Sequence, residues 1–334
     1  MDEVFSALRV QLTRTLAESE HLVDCVVVSK TGPILTFGEG ERPVIARSSL
    51  KPIQILPVVS SGAADAFSFD DQDIALCTAS HSADPRHLER TAAILKRIGL
   101  DESALECGAS RPLAPYPVPP DVADALIAAG EQFRPIHNCC SGKHAGFLAL
   151  ATHLGVDPVG YIEDDHPVQQ LVTKSVETFT GADLATQDHG IDGCGIPTYA
   201  IALSRLALSM ARFAQPDGVD AISEATAEAA MRVVAALVPN AFWMSGDGRS
   251  EVEFQTRITE PLISKIGAEG VYMAAVPQRG IGIALKARDG ARRAADIAME
   301  AVLEHLGVLT QSAAVHNLTN AEGNVIGAMN VSWT

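Results

Sequence analysis

A serine and a lysine stand three residues apart in Ala46-Arg47-Ser48-Ser49-Leu50-Lys51-Pro52. On a helix, that spacing places both side chains on one face. A neutral lysine amine can take the serine proton and turn the oxygen into a nucleophile, and a helix N-terminus lowers the energy of the charge that develops. The same residues also fit a plain N-cap followed by a solvated lysine. A second candidate is Cys77-Thr78-Ala79-Ser80-His81-Ser82-Ala83-Asp84, in which Ser80 and His81 carry reactive groups. There, Ser82 or Asp84 would equally serve to cap a helix beginning at Pro85. Two glycine-bearing turns carry thiols: His137-Asn138-Cys139-Cys140-Ser141-Gly142-Lys143-His144 and Asp188-His189-Gly190-Ile191-Asp192-Gly193-Cys194-Gly195. Two thiolates and a nitrogen donor can hold Zn2+ tetrahedrally with the fourth position open. Neither turn has a zinc-finger spacing, and buried thiols beside turn glycines account for both segments equally well.

These segments need elements to hold them. The β-branched run Leu22–Val28 reads as a buried strand, Thr31-Gly32-Pro33 as a turn and Ile34–Phe37 as the second strand of a hairpin. The first 20 residues read as an amphipathic helix or a partly ordered arm, so residues 1–21 are set apart from a single catalytic domain over 22–334. Lys51–Ala64 reads as a helix with Pro52 in its first turn. Asp73–Thr78 reads as a short strand ahead of Ser80, and Pro85–Ile98 as an amphipathic helix with Leu88, Ala92 and Leu95 on one face. The five prolines of residues 111–120 exclude helix or central strand and predict an extended loop. Helices are predicted over 122–130, 142–154, 166–179, 198–212, 221–238 and 292–306, with late strands over 270–276, 281–287 and 325–333. Strands at both chain ends around a helical region of about residues 85–240 predict an α+β (mixed α/β) fold with an antiparallel sheet. There is no GxGxxG following a strand, and Gly246-Asp247-Gly248-Arg249 lacks the lysine and the following helix of a phosphate loop.

Of 334 residues, 47% are hydrophobic, which is enough for a sizeable core and excludes disorder as the main state. Twenty-five basic residues against 41 acidic ones leave a net charge of −16, which disfavours a phosphate backbone as partner. No apolar run approaches the ~20 residues that span a bilayer. The start Met1-Asp2-Glu3-Val4-Phe5 lacks the basic and apolar regions of a signal peptide, so a cytoplasmic location is expected. There the six cysteines would be free thiols or metal ligands rather than disulfides.

Taken together and in order, Ala46-Arg47-Ser48-x-x-Lys51-Pro52, Ala79-Ser80-His81-Ser82, Cys140-Ser141-Gly142-Lys143-His144 and Asp192-Gly193-Cys194 resemble the rhizobial-type (class 3) L-asparaginases, the asparaginase II family. Lys265-Ile266-Gly267-Ala268-Glu269-Gly270 and the Gly280–Lys286 strand match as well, so the resemblance runs from about Leu22 to the C-terminus. It implies a serine β-lactamase/penicillin-binding-protein-like fold, a homodimer, and hydrolysis of L-asparagine to L-aspartate and ammonia. By the same resemblance Ser48 and Lys51 would form one nucleophile–base pair and Ser80 and Lys265 a second. Cys140, Lys143 and Cys194 would coordinate zinc, in a catalytic or a structural role. Arg47, Asp192 and His144 would contact the substrate. Two features depart from the family pattern: the extra Cys139, and the segment Asn240–Arg249, which keeps only the glycines and Arg249. Glutamine or another small amide is therefore an alternative substrate. A peptidase-like serine hydrolase lacks its Ser-Asp-Asn and Lys-Thr-Gly elements here, and a non-catalytic zinc- or amino-acid-binding protein is the remaining alternative.

Overall fold

The computed structural model describes residues 4–113, 122–311 and 316–333 of the chain. Its main sheet is built from strands at both ends of the chain. The N-terminal part supplies β1 (Val4–Phe5), β2 (Leu8–Thr13), β3 (Ala17–Ser29) and β4 (Gly32–Phe37). A short β5 (Pro43–Ile45) follows, and β6 (His189–Ile191) and β7 (Pro197–Ala202) lie within the helical region. The C-terminal part supplies β8 (Ile263–Ile266), β9 (Val271–Val276), β10 (Ile281–Ala287), β11 (His316–Thr319) and β12 (Val325–Ser332). The order across the sheet is β11-β12-β2-β3-β10-β9-β8, with β4 also on β3 and β1 on β4. Every pairing is antiparallel except β1 with β4. This is the α+β layout with an antiparallel sheet predicted above. The first residues differ from expectation: Leu8–Thr13 is a strand whose alternate residues Leu8, Val10 and Leu12 are buried. A period of two, not of a helix, governs that segment.

Helices fill the middle of the chain: α1 (Lys51–Gln54), α2 (Leu56–Ser60), α3 (Ala63–Ala66), α4 (Asp71–Leu76), α5 (Pro85–Arg97), α6 (Val122–Ala128), α7 (Ser141–Leu154) and α8 (Pro167–Thr180). There follow α9 (Leu203–Ala214), α10 (Glu224–Leu237), α11 (Ala241–Ser245), α12 (Ser250–Glu253) and, after β10, α13 (Arg292–His305). The helical region thus starts near residue 47, earlier than predicted. The single helix expected over 51–64 is three short ones, and the helix expected over 198–212 begins as β7. Most of the proline-rich loop lies outside the described residues. On α5 the buried face is His87, Thr91, Ile94 and Leu95, and Ala92 points outward. Among the described residues no helix is long and apolar enough to cross a membrane.

The sheet is covered on both faces, which is why β3 and β10 read as near-continuous apolar runs. Val23, Cys25 and Val27 face one core together with Ile283, Leu285 and α13. Val26 and Val28 face the other, with α9 and the remaining helices. Gly282 lets α9 lie directly on the sheet: a Cβ there would come within 2.0 Å of the Ala207 carbonyl oxygen. A separate small sheet, β5-β7-β6, sets the chain just before Arg47 and the chain just before Asp192 on the two edges of β7.

Candidate active site

The turn after β5 presents the first serine. Arg47 has φ +52°, a left-handed conformation that costs a non-glycine residue about 1–2 kcal/mol. Its Nε donates to Asp192 Oδ1 at 2.8 Å, across the small sheet. A 3-10 turn over Arg47–Leu50 then leads into α1. Ser49 closes that turn by donating to the Ala46 carbonyl at 2.7 Å. Ser48 makes no cap and is left to line a cavity. Lys51 is buried, not solvated. Its Nζ lies in hydrogen-bond contact with the Ala79 carbonyl, with Ser80 Oγ at 2.9 Å and with Cys140 Sγ at 3.2 Å.

Ser80 follows α4, not a strand. Asp70 and Asp73 form a reciprocal capping box at the start of that helix, a local signal that outweighs the apolar run after it. Ser80 N donates to the Met244 carbonyl at 2.9 Å and His81 N to the Cys139 carbonyl at 3.1 Å. The atypical 240–249 segment therefore fixes the second serine. Asp84 caps α5 as anticipated. The His81 ring meets Ser141 Oγ at 2.9 Å and is not part of the cavity wall.

The thiol turns converge as well. Asn138 accepts from Cys140 N at 2.9 Å and anchors its own amide on the Cys107 carbonyl at 2.8 Å, which sets the turn into α7. Lys143 Nζ donates to Cys194 Sγ at 3.1 Å, and the Cys139 and Cys140 sulfurs are 3.7 Å apart. The thiols of Cys139 and Cys194, with help from the neighbouring Lys51 and Lys143, hold the Cys140 thiol far below its usual range against the opposing effect of burial. Cys194 moves up, because it donates toward Cys140 and is buried. Burial pulls Lys143 down, but Cys194, Cys140 and Asp192 outweigh it and its ammonium is held above the ordinary range. Two sulfurs and an amine nitrogen make a donor set of the kind zinc accepts. Among the described residues no three His, Cys, Asp or Glu side chains gather for a metal, so a zinc site here would need Lys143 as its third donor. His144, expected at the substrate, is fully buried on α7, hydrogen-bonded to Tyr161 Oη at 2.7 Å, and does not line the cavity.

Lys265 comes from β8, which packs on the serine turn. A Cβ at Gly267 would meet the Ala46 carbonyl oxygen at 2.6 Å, so glycine allows that approach. Lys265 Nζ lies 3.5 Å from Glu251 Oε1 and 3.3 Å from the Ile266 carbonyl. Burial, opposed by Glu251 and reinforced by Lys51, pulls its ammonium down to about 8. The hydrogen bonds thus join Lys51 to Ser80, while none joins Lys51 to Ser48 or Lys265 to Ser80. The cavity measures about 380 Å³, and Arg47, Ser48, Ser80, Cys140, Asp192 and Cys194 all lie in its wall. Arg249, Arg292 and Glu269 line it too. Sequence reasoning gave these three no site role, and the one available signal was the glycine-flanked Gly246–Arg249 turn.

The family model for L-asparaginase II matches residues 10–331. No curated protein matches the chain. Solved structures similar to it include Mglu in its glutamate form, with 13% identity over 87% of this chain and 63% of that one and a TM-score of 0.40. This chain therefore spans less than two thirds of the length of that structure. Another is the covalent complex of the Bacillus subtilis glutaminase YbgJ with 5-oxo-L-norleucine, with 14% identity, 90% and 93% coverage and a TM-score of 0.41. With its family model spanning nearly the whole sequence, the chain belongs to the L-asparaginase II family of amidohydrolases.

Proposed function

We propose that the chain hydrolyses the side-chain amide of L-asparagine to L-aspartate and ammonia through a serine nucleophile served by Lys51. The observation that carries this reading is a fully buried lysine in hydrogen-bond contact with one cavity serine, Ser80, and three residues from another, Ser48. In the proposed step Ser48 Oγ bonds to the amide carbon as its proton passes to the neutral Lys51 amine. Collapse breaks the C–N bond, and Lys51 returns the proton through Ser80 Oγ to the leaving nitrogen, which departs as ammonia. Water then cleaves the acyl ester by the same proton path in reverse, which regenerates Ser48 and releases aspartate. Lys265, pulled down toward 8, adds a second amine able to lose its proton near neutral pH.

Cys140, Lys143 and Cys194 would hold Zn2+, the lysine giving up its proton to do so. When bound, the ion would supply a fixed positive charge beside the cavity. The chain's own residues shape the rest: Asn138 sets the thiolate turn, and Arg47 holds Asp192 against it.

The test is ammonia release from L-asparagine and L-glutamine by wild type, Ser48→Ala, Ser80→Ala and Lys51→Met. Ser48→Ala and Lys51→Met should each lower kcat by at least ~1,000-fold, as loss of a member of a nucleophile–base unit does. Full turnover by Ser48→Ala would end the nucleophile assignment. Glutamine turnover exceeding that of asparagine would transfer the substrate to the longer amide.

A further inference from the structure

We infer that Arg249 is the receptor for the substrate's α-carboxylate, which makes the cavity selective for amides of free α-amino acids. This rests on the amidohydrolase reading above and deepens it. Three guanidinium groups line the cavity among the described residues: those of Arg47, Arg249 and Arg292. Arg47 is already committed to Asp192 at 2.8 Å. Arg292 bonds Asp296 at 3.3 Å, and about a third of its side chain faces solvent. Arg249 differs from both. Only 2% of it is exposed, and its Nε and Nη1 have no hydrogen-bond partner. Its nearest carboxylate oxygen, Glu251 Oε2, stands 4.0 Å from Nε, too far for a hydrogen bond, and is itself without a donor.

A guanidinium carries five N–H donors, and the three on Arg249 Nε and Nη1 are left unused by the chain. Buried polar groups in folded proteins are almost always paired, so an unpaired set at a cavity wall marks the place of a missing acceptor. The charge count agrees. Arg249 and Lys265 share one carboxylate, Glu251, while Arg292 is matched by Asp296. The cluster therefore has one positive charge in excess, and it lies on the same cavity as Ser48 and Ser80. Asparagine has one anionic group, its α-carboxylate, whose two oxygens match the planar guanidinium fork. Asp192 and Glu269 in the same wall suit the α-ammonium.

The experiment compares wild type, Arg249→Gln and Arg249→Lys, each as the full chain. Two readouts are taken: ammonia release from L-asparagine and from its α-methyl ester, and the rise in Tm caused by L-aspartate. Arg249→Gln should raise KM for asparagine by about 100-fold, the loss of two charge-assisted hydrogen bonds. It should leave the already slow turnover of the ester within about 3-fold and abolish the aspartate-induced Tm rise. Arg249→Lys, which keeps the charge but not the fork, should fall between. Equal losses on asparagine and ester, with the aspartate effect intact, would show that Arg249 only supports the fold and would overturn the assignment. If the glutamine variant does not fold, the lysine variant decides by the same two comparisons. Absence of ammonia release by wild type counts against asparagine hydrolysis alone. The aspartate arm then still judges Arg249: a rise in wild type lost in the variant sustains the assignment, and a rise common to both removes it.

Discussion

Lys265 has no exposed surface, and its one carboxylate neighbour, Glu251, stands 3.5 Å away and is shared with Arg249. Burial therefore outweighs attraction, and the ammonium loses its proton near 8 in the folded chain against 10.5 when free. Below pH 8 both folded and unfolded chains carry that proton, and the folded state bears the full cost of a buried charge. Between about 8 and 10.5 the unfolded chain binds more proton than the folded one, so stability rises with pH, by about 3 kcal/mol across that window. Lys265→Met removes this contribution. Urea unfolding at pH 7.5 and 10 should show a wild-type-minus-variant difference that grows in favour of wild type with pH. A constant difference would mean Lys265 titrates alike in both states. At this scale the sequence was a partial guide. It paired Ser48 with Lys51 and Ser80 with Lys265, whereas the hydrogen bond runs from Lys51 to Ser80, because the turn after α4 sets Ser80 beside Lys51. The family resemblance placed His144 at the substrate, whereas its position on α7 turns the ring toward Tyr161.

Among the elements, β10 and α9 meet backbone to backbone at Gly282. Gly282 faces Ala207, Met210 and Ala211, and an added methyl would lie 2.0 Å from the Ala207 oxygen and 2.3 Å from the Ala211 nitrogen. Both obstacles are backbone, so no side-chain rotation relieves them. Gly282→Ala should cost about 3 kcal/mol through forced separation of helix and sheet, seen as a lower urea midpoint at unchanged slope. Gly99→Ala is not an equivalent control, because Gly99 has φ +77°; Gly190→Ala, with open space around its Cβ position and no positive φ, is, and should change stability by less than about 0.5 kcal/mol. The long apolar runs of β3, β9 and β10 were legible because both faces are buried. The N-terminal β2 was not, since its Leu8, Val10 and Leu12 alternate over too few residues to stand out. Asp73–Thr78 misled for a physical reason: its apolar residues fill a core beneath a helix whose start is set by Asp70, outside the run.

For the molecule as a whole, the three proposed zinc donors come from distant parts of the chain. Cys140 and Lys143 sit at the start of α7, buried in the core of the helical region, and Cys194 lies on the turn between β6 and β7. That turn is tied to the Ser48 segment through β5 and the Arg47–Asp192 pair. A cation held by all three donors would therefore cross-link the helical region to the serine turn, and binding energy would appear as global stability rather than as a local effect. Stabilisation follows RT ln(1 + [L]/Kd), so zinc at about 100 times Kd should add about 2.7 kcal/mol. Chelator-treated wild type should gain Tm when zinc is returned, and Cys194→Ser should gain far less, its hydroxyl being a poor zinc ligand. Cys25→Ser is the contrasting change. Burial pushes that thiol far above its usual range, and it lies in the sheet core away from the cavity, so its zinc response should match wild type even though its starting Tm falls. A zinc-induced rise in Cys194→Ser as large as in wild type would place the ion elsewhere and remove Cys194 from the donor set.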